Sequence, residues 1–150
     1  MINRRQFSLM AGIAAAGTAA AACTSRPKTA TAGPATTQAH TAFRSLKQVD
    51  AGVLNIGYAE DGPADGPPVI LLHGWPYDIH SYADVAPMLA ARGHRVIVPF
   101  LRGFGSTRFL SDATVRNGQQ AAVAQDVIAL MDALRIPKAV IAGFDWGARS

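Results

Sequence analysis

Cysteine is nearly absent from this sequence of 150 residues, since Cys23 is the only one. A lone cysteine excludes an intramolecular disulfide. Acidic residues are absent from the first 49 positions, where six Lys and Arg residues stand. From Asp50 onward, eight Lys and Arg residues accompany all ten Asp and Glu residues, which gives that part a net charge of −2. The basic character therefore belongs to the N-terminal segment, and we expect no nucleic-acid partner.

Long apolar runs are also lacking, because a bilayer span needs roughly 20 strongly apolar residues. The longest candidate, residues 9–22, is rich in Ala and Gly and follows Arg4 and Arg5. A charged start, a short apolar stretch and small residues before a cleavage point are typical of a signal peptide. The Arg pair followed by Phe7 resembles the twin-arginine signal, which implies the twin-arginine export machinery as a partner. We therefore predict a leader over residues 1–22 and an exported protein, periplasmic or extracellular.

Two interpretations of Cys23 stay open. It directly follows three alanines, which resembles a weak lipobox and would give a lipid anchor at Cys23. The alternative is ordinary cleavage near an Ala-x-Ala site, with Cys23 incidental. A membrane contact is expected only through the leader or such an anchor. Residues 23–42, rich in Thr, Ala and Pro, cannot bury a core and are predicted to be a flexible tether.

The folded part is predicted to begin at residue 43 with a hairpin. Residues 43–49 and the alternating segment 54–58 flank a turn-forming Asp-Ala-Gly. Apolar runs further on predict three strands, namely a central strand covered on both faces, a second buried strand and a final apolar strand. These runs are residues 69–72, 95–99 and 138–144.

Two helices are predicted between these strands. Ser81 and Asp84 form a capping-box pattern that starts the first helix, which carries Val85 and Leu89 inward and stops at Gly93. The second helix has apolar residues at helical spacing, with Asp126 and Asp132 off that stripe. The stripe consists of Val123, Val127, Leu130, Met131 and Leu134. Strands alternating with helices indicate an α/β fold with parallel strands.

Two loops at strand ends carry the chemistry. Residues 73–76, His-Gly-Trp-Pro, follow the first buried strand, and a turn at Gly74 can aim a backbone N–H at a bound oxygen. Residues 143–147, Gly-Phe-Asp-Trp-Gly, follow the last strand with the spacing of a nucleophile elbow, a sharp strand-to-helix turn. Asp145 stands at the nucleophile position. The structural alternatives are an ordinary turn with a packed Trp75, and Asp145 as a helix N-cap.

The order and separation of these loops resemble the epoxide hydrolase and haloalkane dehalogenase branch of the α/β-hydrolase superfamily. Residues 102–106, Arg-Gly-Phe-Gly-Ser, add to the resemblance, since Arg-Gly-x-Gly is common there. Phe100 departs from it, because many epoxide hydrolases carry an aspartate two places before the arginine. The resemblance covers residues 43–150. It implies the N-terminal half of an α/β-hydrolase core, a mainly parallel sheet with flanking helices, ending just after the elbow.

Aspartate at the elbow indicates which substrates are attacked. A carboxylate that attacks an sp³ carbon forms an alkyl ester, which water can hydrolyse at the aspartate carbonyl. A serine would form an ether, which water does not readily cleave. We therefore expect an epoxide hydrolase-like enzyme that forms an alkyl ester on Asp145 with a small hydrophobic substrate, and no cofactor or metal.

The resemblance also implies roles for the residues around the nucleophile. The backbone N–H groups of Trp75 and Trp146 would form the oxyanion hole, and their rings can line the substrate slot. Five further residues would shape the elbow and the oxyanion loop. They are His73, Gly74, Pro76, Gly143 and Gly147.

Two alternatives stay open. One is a haloalkane or haloacid dehalogenase-like hydrolase. Dehalogenases often carry Asn after His-Gly, where this sequence has Trp75, but the Trp146 indole can donate to a halide. The other is a non-catalytic, truncated exported protein that keeps the elbow as a relic.

The histidine and acid that complete such a site have no match in this sequence. His40 falls in the tether, His73 in the oxyanion loop, and His80 and His94 are expected in surface or satisfied structural roles. The lid tyrosines of relatives also lack counterparts. We therefore expect a fragment of a longer protein, with these groups beyond Ser150, and expect the fragment alone to fold poorly and not to turn over.

Overall fold

A computed structural model of the chain describes Phe43 and residues 45–150. The predicted leader, the tether and Cys23 lie outside the described residues. The strands are β1 (Leu46–Ala51), β2 (Leu54–Asp61), β3 (Pro68–Leu72), β4 (Arg95–Pro99), β5 (Arg108–Phe109) and β6 (Val140–Gly143). The helices are α1 (Val85–Ala90), α2 (Gln120–Ala133) and α3 (Trp146–Arg149), with a 3₁₀ turn at Ile79–Tyr82. Across the described part of the chain, each helix is too short or too polar to cross a membrane.

The six strands form one mixed sheet in the order β1-β2-β4-β3-β6, with β5 paired to β2. Strand β3 runs parallel to both β4 and β6, whereas β2 runs antiparallel to β1 and β4. The predicted hairpin is confirmed, with Ala51 opposite Leu54 across a two-residue loop. Gly52 takes φ +58° there, which glycine adopts without steric cost. The predicted α/β architecture is confirmed, and the sheet is mixed because this hairpin adds antiparallel strands.

Alternate residues of the central strands enter two apolar layers, since neighbouring side chains on a strand point to opposite faces. Helix α2 covers one face, and α1 with the 3₁₀ turn covers the other. The first layer contains Ile70, Leu72 and Ile97, and the second contains Val69, Leu71, Val96 and Val98. Coverage of both faces explains why β3 and β4 are continuously apolar in the sequence.

Helix α2 packs its predicted apolar stripe on the sheet. Val123, Val127 and Leu130 are buried, while Met131 and Leu134 pack at the margin of the same layer. Residues three, four and seven positions apart share one helix face, so the sequence spacing locates these contacts.

Asp126 is buried at 7% exposure, so the prediction that it lies off the apolar stripe is wrong. Its carboxylate accepts hydrogen bonds from Arg102 Nε at 2.6 Å and from Arg102 Nη2 at 2.7 Å. The Arg102 side chain also donates to Asn117 and to the Ala122 carbonyl. Each buried charge therefore has a partner, and the pair ties the loop after β4 to the first turns of α2.

The start of the first helix also differs from the prediction. Ser81 lies within the 3₁₀ turn, and Asp78 caps that turn by accepting a hydrogen bond from the His80 N–H at 2.9 Å. Aspartate readily accepts from the N–H two residues ahead, so the chain turns before Ser81 can act as a cap. Helix α1 begins only at Val85, which is exposed rather than inward-facing, and Ala86 takes the buried position.

The strand boundaries follow the sequence in part. Strand β4 occupies the predicted residues 95–99. Strand β6 has four residues, all of them exposed, so it is shorter than the predicted apolar strand at 138–144. In the described sheet β6 pairs only with β3, which leaves its side chains less covered than those of a central strand. Strand β5, with two residues, is too short to show a period in the sequence.

Asp126→Ala should destabilise the protein, because it leaves the buried Arg102 guanidinium without its counter-charge. Removing one partner of a buried ion pair typically costs about 3–5 kcal/mol of unfolding free energy. The matched control is Asp132→Ala, an exposed position of the same helix, which should change stability by less than about 0.5 kcal/mol. Urea unfolding of both variants measures the difference. Equal losses would show that the pair does not stabilise the fold.

Candidate active site

The connection between β6 and α3 has the backbone geometry of an elbow at Asp145. Its φ of +50° and ψ of −118° lie outside the regions that residues other than glycine favour. Two residues separate the strand from the helix, so the chain reverses direction sharply, and the Asp145 side chain is exposed. Such a conformation persists only where the surrounding structure holds it, and functional sites are where it is concentrated.

Gly143 and Gly147 allow this turn to approach β3. A methyl group at Gly147 would collide with the Leu72 carbonyl and lie 2.7 Å from the His73 carbonyl oxygen. A methyl group at Gly143 would lie 2.7 Å from the Gly147 carbonyl. These separations are shorter than van der Waals contact, so glycine is required at both positions.

The loop after β3 supplies a hydrogen-bond donor to Asp145. The Trp75 N–H donates to Asp145 Oδ1 at 3.0 Å. Gly74 is packed against the same side chain, since a methyl group there would lie 2.6 Å from Asp145 Cβ. Pro76 follows through a cis peptide bond. The structure therefore brings together Asp145 and the loop that the sequence marked as the oxyanion loop.

Hydrogen bonding holds the pKa of Asp145 below its ordinary value. The Trp75 N–H has the largest effect, the Trp146 N–H lowers the pKa further, and the Arg149 charge adds a smaller contribution. Of the two N–H groups, that of Trp75 has full hydrogen-bond geometry. Both predicted oxyanion donors thus lie close to the carboxylate, with Trp75 already bonded to it.

His73 is fully buried and joins two loops. Its Nε2 accepts a hydrogen bond from the Leu101 N–H at 3.1 Å. This bond places the proton on Nδ1, which donates to the Gly74 carbonyl at 3.3 Å. The Gly74 carbonyl and the Trp75 N–H belong to one peptide unit. His73 therefore fixes the Gly74 carbonyl of the peptide unit whose Trp75 N–H binds Asp145.

Both tryptophans border an apolar cavity of about 190 Å³. Leu101, Phe104 and Val123 form much of its remaining wall, and the Trp75 and Phe104 rings meet edge to face at 6.1 Å. Sequence reasoning missed these three residues. The Arg-Gly-x-Gly motif marks the loop that holds two of them, but it says nothing of what they contact.

Two other polar side chains near the elbow have structural partners. His80 pairs with Asp78 at 2.9 Å on the surface, and the Tyr82 hydroxyl donates to the Leu72 carbonyl. Two further atoms, His94 Nδ1 just before β4 and Ser106 Oγ in the loop after it, are buried without a hydrogen-bond partner among the described residues. His94 is therefore not a satisfied structural histidine. Within residues 45–150, no three His, Cys, Asp or Glu side chains cluster as metal ligands would.

Gly147→Ala should destabilise the protein, because the added methyl group collides with the Leu72 carbonyl. Overpacking of this kind typically costs about 1–3 kcal/mol. Gly118→Ala is the matched control, since a methyl group there meets no atom within 4 Å, and it should stay within about 0.5 kcal/mol of wild type. Thermal unfolding compares the two. Equal stability of both variants would contradict the close approach of the elbow to β3.

Burial lowers the pKa of His73, so the contribution of this residue to the free energy of unfolding depends on pH. The unfolded chain takes up a proton on this residue below about pH 6.5, whereas the folded protein takes it up only at a lower pH. The unfolded state then binds more protons just below about pH 6.5, so this residue makes stability rise with pH there. The stability advantage of wild type over His73→Gln should therefore be larger at pH 7 than at pH 5. Urea unfolding at several pH values measures this difference in unfolding free energy. A difference that stays constant with pH would refute the prediction.

Comparisons with known proteins agree with this geometry. A family model described as alpha/beta hydrolase fold matches residues 67–149, a stretch that includes both loops. A haloalkane dehalogenase of Mycobacterium marinum is 38% identical over 110 residues, which cover 71% of this chain and 35% of that protein. An epoxide hydrolase of Caballeronia sordidicola is 32% identical over 103 residues, or 69% and 31% of the two chains. The chain thus spans about a third of the length of these curated relatives.

Solved structures show the same fold. A Klebsiella pneumoniae protein assigned as an epoxide hydrolase is 64% identical with a TM-score of 0.71, and the match covers 75% of this chain and 37% of that one. A variant of the Solanum tuberosum epoxide hydrolase is 31% identical with a TM-score of 0.62, over 69% and 33% of the two chains. The family model spans more than half of the sequence. The chain therefore belongs to the α/β-hydrolase fold family.

Proposed function

We propose that this chain supplies the nucleophile of an epoxide hydrolase-like enzyme, in which Asp145 attacks an sp³ carbon of a small hydrophobic substrate. The observation that supports this best is an exposed carboxylate on a strained strand-to-helix turn, bonded to the Trp75 N–H at 3.0 Å. Relatives named epoxide hydrolase and haloalkane dehalogenase support hydrolase chemistry of this kind.

In the first step, an ionised oxygen of Asp145 attacks one carbon of the epoxide ring. A C–O ester bond forms, the ring C–O bond breaks, and the ring oxygen takes a proton from water or a neighbouring acid. The lowered pKa of Asp145 keeps the carboxyl group ionised at neutral pH, which is the form that acts as a nucleophile.

In the second step, water adds to the ester carbonyl carbon of Asp145. The carbonyl oxygen becomes an oxyanion, and the product leaves as a diol when the carboxylate re-forms. The oxygen that accepts from the Trp75 N–H is placed to become that oxyanion. Loss of one such donor typically slows other hydrolases by about 100- to 1,000-fold.

The second step also needs a base that activates water. Among residues 45–150, no histidine hydrogen-bonds to Asp145. His73 uses both ring nitrogens within its own loops, and His80 pairs with Asp78. The described residues therefore include the proposed nucleophile and one proposed oxyanion donor, and the first step is the one to test on them.

Dehalogenation of an alkyl halide by the same carboxylate is the second candidate. Here the carbon–halogen bond breaks and the halide leaves without a proton. Trp146 follows the nucleophile directly, and its indole N–H can donate to a halide. The identity to a Mycobacterium marinum haloalkane dehalogenase also favours this candidate. Against it, Trp75 stands where dehalogenases often carry Asn.

We also propose that the protein is exported in folded form. The support is the twin-arginine pattern and short apolar stretch within residues 1–22. The mass of the N-terminal peptide of the mature protein distinguishes simple cleavage from lipidation at Cys23. An uncleaved N-terminus in the natural host would contradict export by this route.

Asp145→Asn should abolish alkylation of the protein, because a neutral amide oxygen is a far weaker nucleophile than a carboxylate. Wild type, Asp145→Asn and the control Asp84→Asn, an exposed carboxylate elsewhere, are each mixed with styrene oxide or 1-bromobutane. The reactions are acid-quenched within the first turnover and digested for peptide mass analysis. Wild type and Asp84→Asn should carry one substrate mass on the Asp145 peptide.

The two substrates separate the candidate functions. An adduct from styrene oxide supports the epoxide mechanism, whereas an adduct from 1-bromobutane with bromide release supports dehalogenation. An equal adduct in Asp145→Asn would overturn the assignment of the nucleophile. A folded protein that forms no adduct with either substrate would favour a non-catalytic protein with a relic elbow.

A further inference from the structure

We infer that the Trp75 N–H is the last donor of a directional relay of hydrogen bonds, and that the buried Thr107 hydroxyl near its other end is a positioning residue for the Asp145 carboxylate. Each bond of the relay polarises the next, and no proton is transferred along it. Its effect on catalysis rests on the proposed function, whereas its hydrogen bonds can be measured without a reaction. From β2 to the elbow, its members are the Gly57 N–H, the Thr107 hydroxyl, the Phe100–Leu101 peptide unit, the His73 ring, the Gly74–Trp75 peptide unit and the Asp145 carboxylate.

The Thr107 hydroxyl replaces one bond of the ladder between β2 and β4. Continued by one residue, the register of these antiparallel strands places Gly57 opposite Phe100. The Phe100 N–H donates to the Gly57 carbonyl at 2.8 Å, and a regular pair of this kind would exchange a second bond in return. Instead, the Gly57 N–H donates to Thr107 Oγ1 at 3.1 Å, and the Thr107 hydroxyl donates to the Phe100 carbonyl at 2.7 Å. The hydroxyl therefore acts as acceptor and donor at once, which passes the polarisation of the ladder on to Phe100.

The peptide unit after Phe100 carries the relay to His73. The Phe100 carbonyl and the Leu101 N–H belong to this one unit, so a donor at the carbonyl end strengthens the N–H at the other end as a donor. That N–H donates to His73 Nε2 at 3.1 Å. A ring nitrogen that accepts leaves the proton of a neutral imidazole on the other nitrogen, so the proton lies on His73 Nδ1.

The His73 ring repeats the same arrangement at the elbow. Its Nδ1–H donates to the Gly74 carbonyl at 3.3 Å, and the Trp75 N–H at the other end of that peptide unit donates to Asp145 Oδ1 at 3.0 Å. The donors from β2 onward thus point in one direction, toward a negative charge. A charge at the end of such a series aligns the dipoles, and the aligned dipoles in turn stabilise the charge.

Burial makes the relay effective over this distance. Thr107, Phe100, Leu101 and His73 are each buried, so water does not compete for their hydrogen bonds, and the low local dielectric strengthens the coupling between successive bonds. Only the last member, Asp145, is exposed. A polar group that is buried and fully bonded, yet far from the carboxylate along the sequence, can therefore act on the carboxylate.

Charged groups outside the relay act on its two titratable members. The pKa of Asp145 is lowered most by the Trp75 N–H, then by the Trp146 N–H, and to a smaller extent by Arg149 of α3. Burial lowers the pKa of His73, whereas its bond to Gly74 and the charge of Asp78 raise that pKa. Arg149 and Asp78 stay in place when Thr107 is substituted, so a change in the ionisation of Asp145 in such a variant reports on the relay.

The direction of the relay can be measured in the wild-type protein by ¹⁵N NMR. The Leu101 N–H should show a ¹⁵N–¹⁵N coupling across its hydrogen bond to His73 Nε2, and the ring proton should be found on Nδ1. A proton on Nε2 would break the link between these two residues and overturn the proposal. This measurement needs no substitution, so it holds even where a variant fails to fold.

Thr107→Val keeps the shape of the side chain and removes the hydroxyl that donates to the Phe100 carbonyl. The ionisation constant of Asp145 should fall about twofold, which is followed by the ¹³C shift of its carboxyl carbon in a pH titration. Thr107→Ser restores the hydroxyl and should restore the wild-type value. The matched control is Ser106→Ala, because Ser106 Oγ is also buried but has no hydrogen-bond partner among the described residues. Titration of Asp145 in Thr107→Val at the wild-type pH would overturn the proposal.

A double variant tests whether the effect passes through His73. His73→Phe replaces the imidazole by a ring that neither accepts from Leu101 nor donates to Gly74. In this background, Thr107→Val should leave the ionisation of Asp145 unchanged, because residues that act through one another have non-additive effects. A twofold change that persists in the double variant would show that Thr107 acts by loosening the fold, and would reject the relay.

The outcomes separate this inference from the proposed function. An Asp145 ionisation that responds to Thr107→Val in a protein that forms no adduct with styrene oxide or 1-bromobutane would support the relay and reject the nucleophile. An adduct on Asp145 together with an ionisation that ignores Thr107→Val would support the nucleophile and reject the relay.

Discussion

Gly147 lies against the Leu72 carbonyl at the end of β3, with no room for a side chain between them. Strand β3 pairs in parallel with both β4 and β6, so the loops that follow these strands leave the same edge of the sheet, where α/β proteins bind ligands. The contact at Gly147 brings the strained turn onto β3 and sets Asp145 3.0 Å from the Trp75 N–H. A larger residue at 147 would lift the turn away and remove the donor.

Two buried polar side chains, His73 and Arg102, then connect the loops around the elbow. His73 accepts from the Leu101 N–H and donates to the Gly74 carbonyl, which links the loop after β3 to the loop after β4. Arg102, the next residue along, is fixed by its bidentate pair with Asp126 of α2. Neither side chain bonds to the carboxylate of the elbow. Together they connect the loop after β3, the cavity wall and helix α2, so a change in either should alter the shape of the site from a distance.

A structural feature can be predicted from the sequence when the residues that determine it are close together in the chain. Strand β4 lies where predicted because a strand covered on both faces leaves a continuous apolar run. The elbow is predictable because its strain and its glycines are encoded in five consecutive residues. The burial of Asp126 is not predictable, because helical periodicity places charged residues toward water and its partner Arg102 is 24 positions away. Leu101 and Val123 meet in the cavity wall through packing between separate segments, which no spacing rule describes.

In the proposed chemistry, the Trp75 N–H has opposite effects on the rates of the two steps. Before reaction it stabilises the Asp145 carboxylate, in line with the lowered pKa, and this stabilisation makes the carboxylate as a whole a weaker nucleophile. After the first step the same donor faces a neutral ester, and in the second step it faces an oxyanion, where its stabilisation is strongest. The donor therefore slows alkylation and speeds hydrolysis.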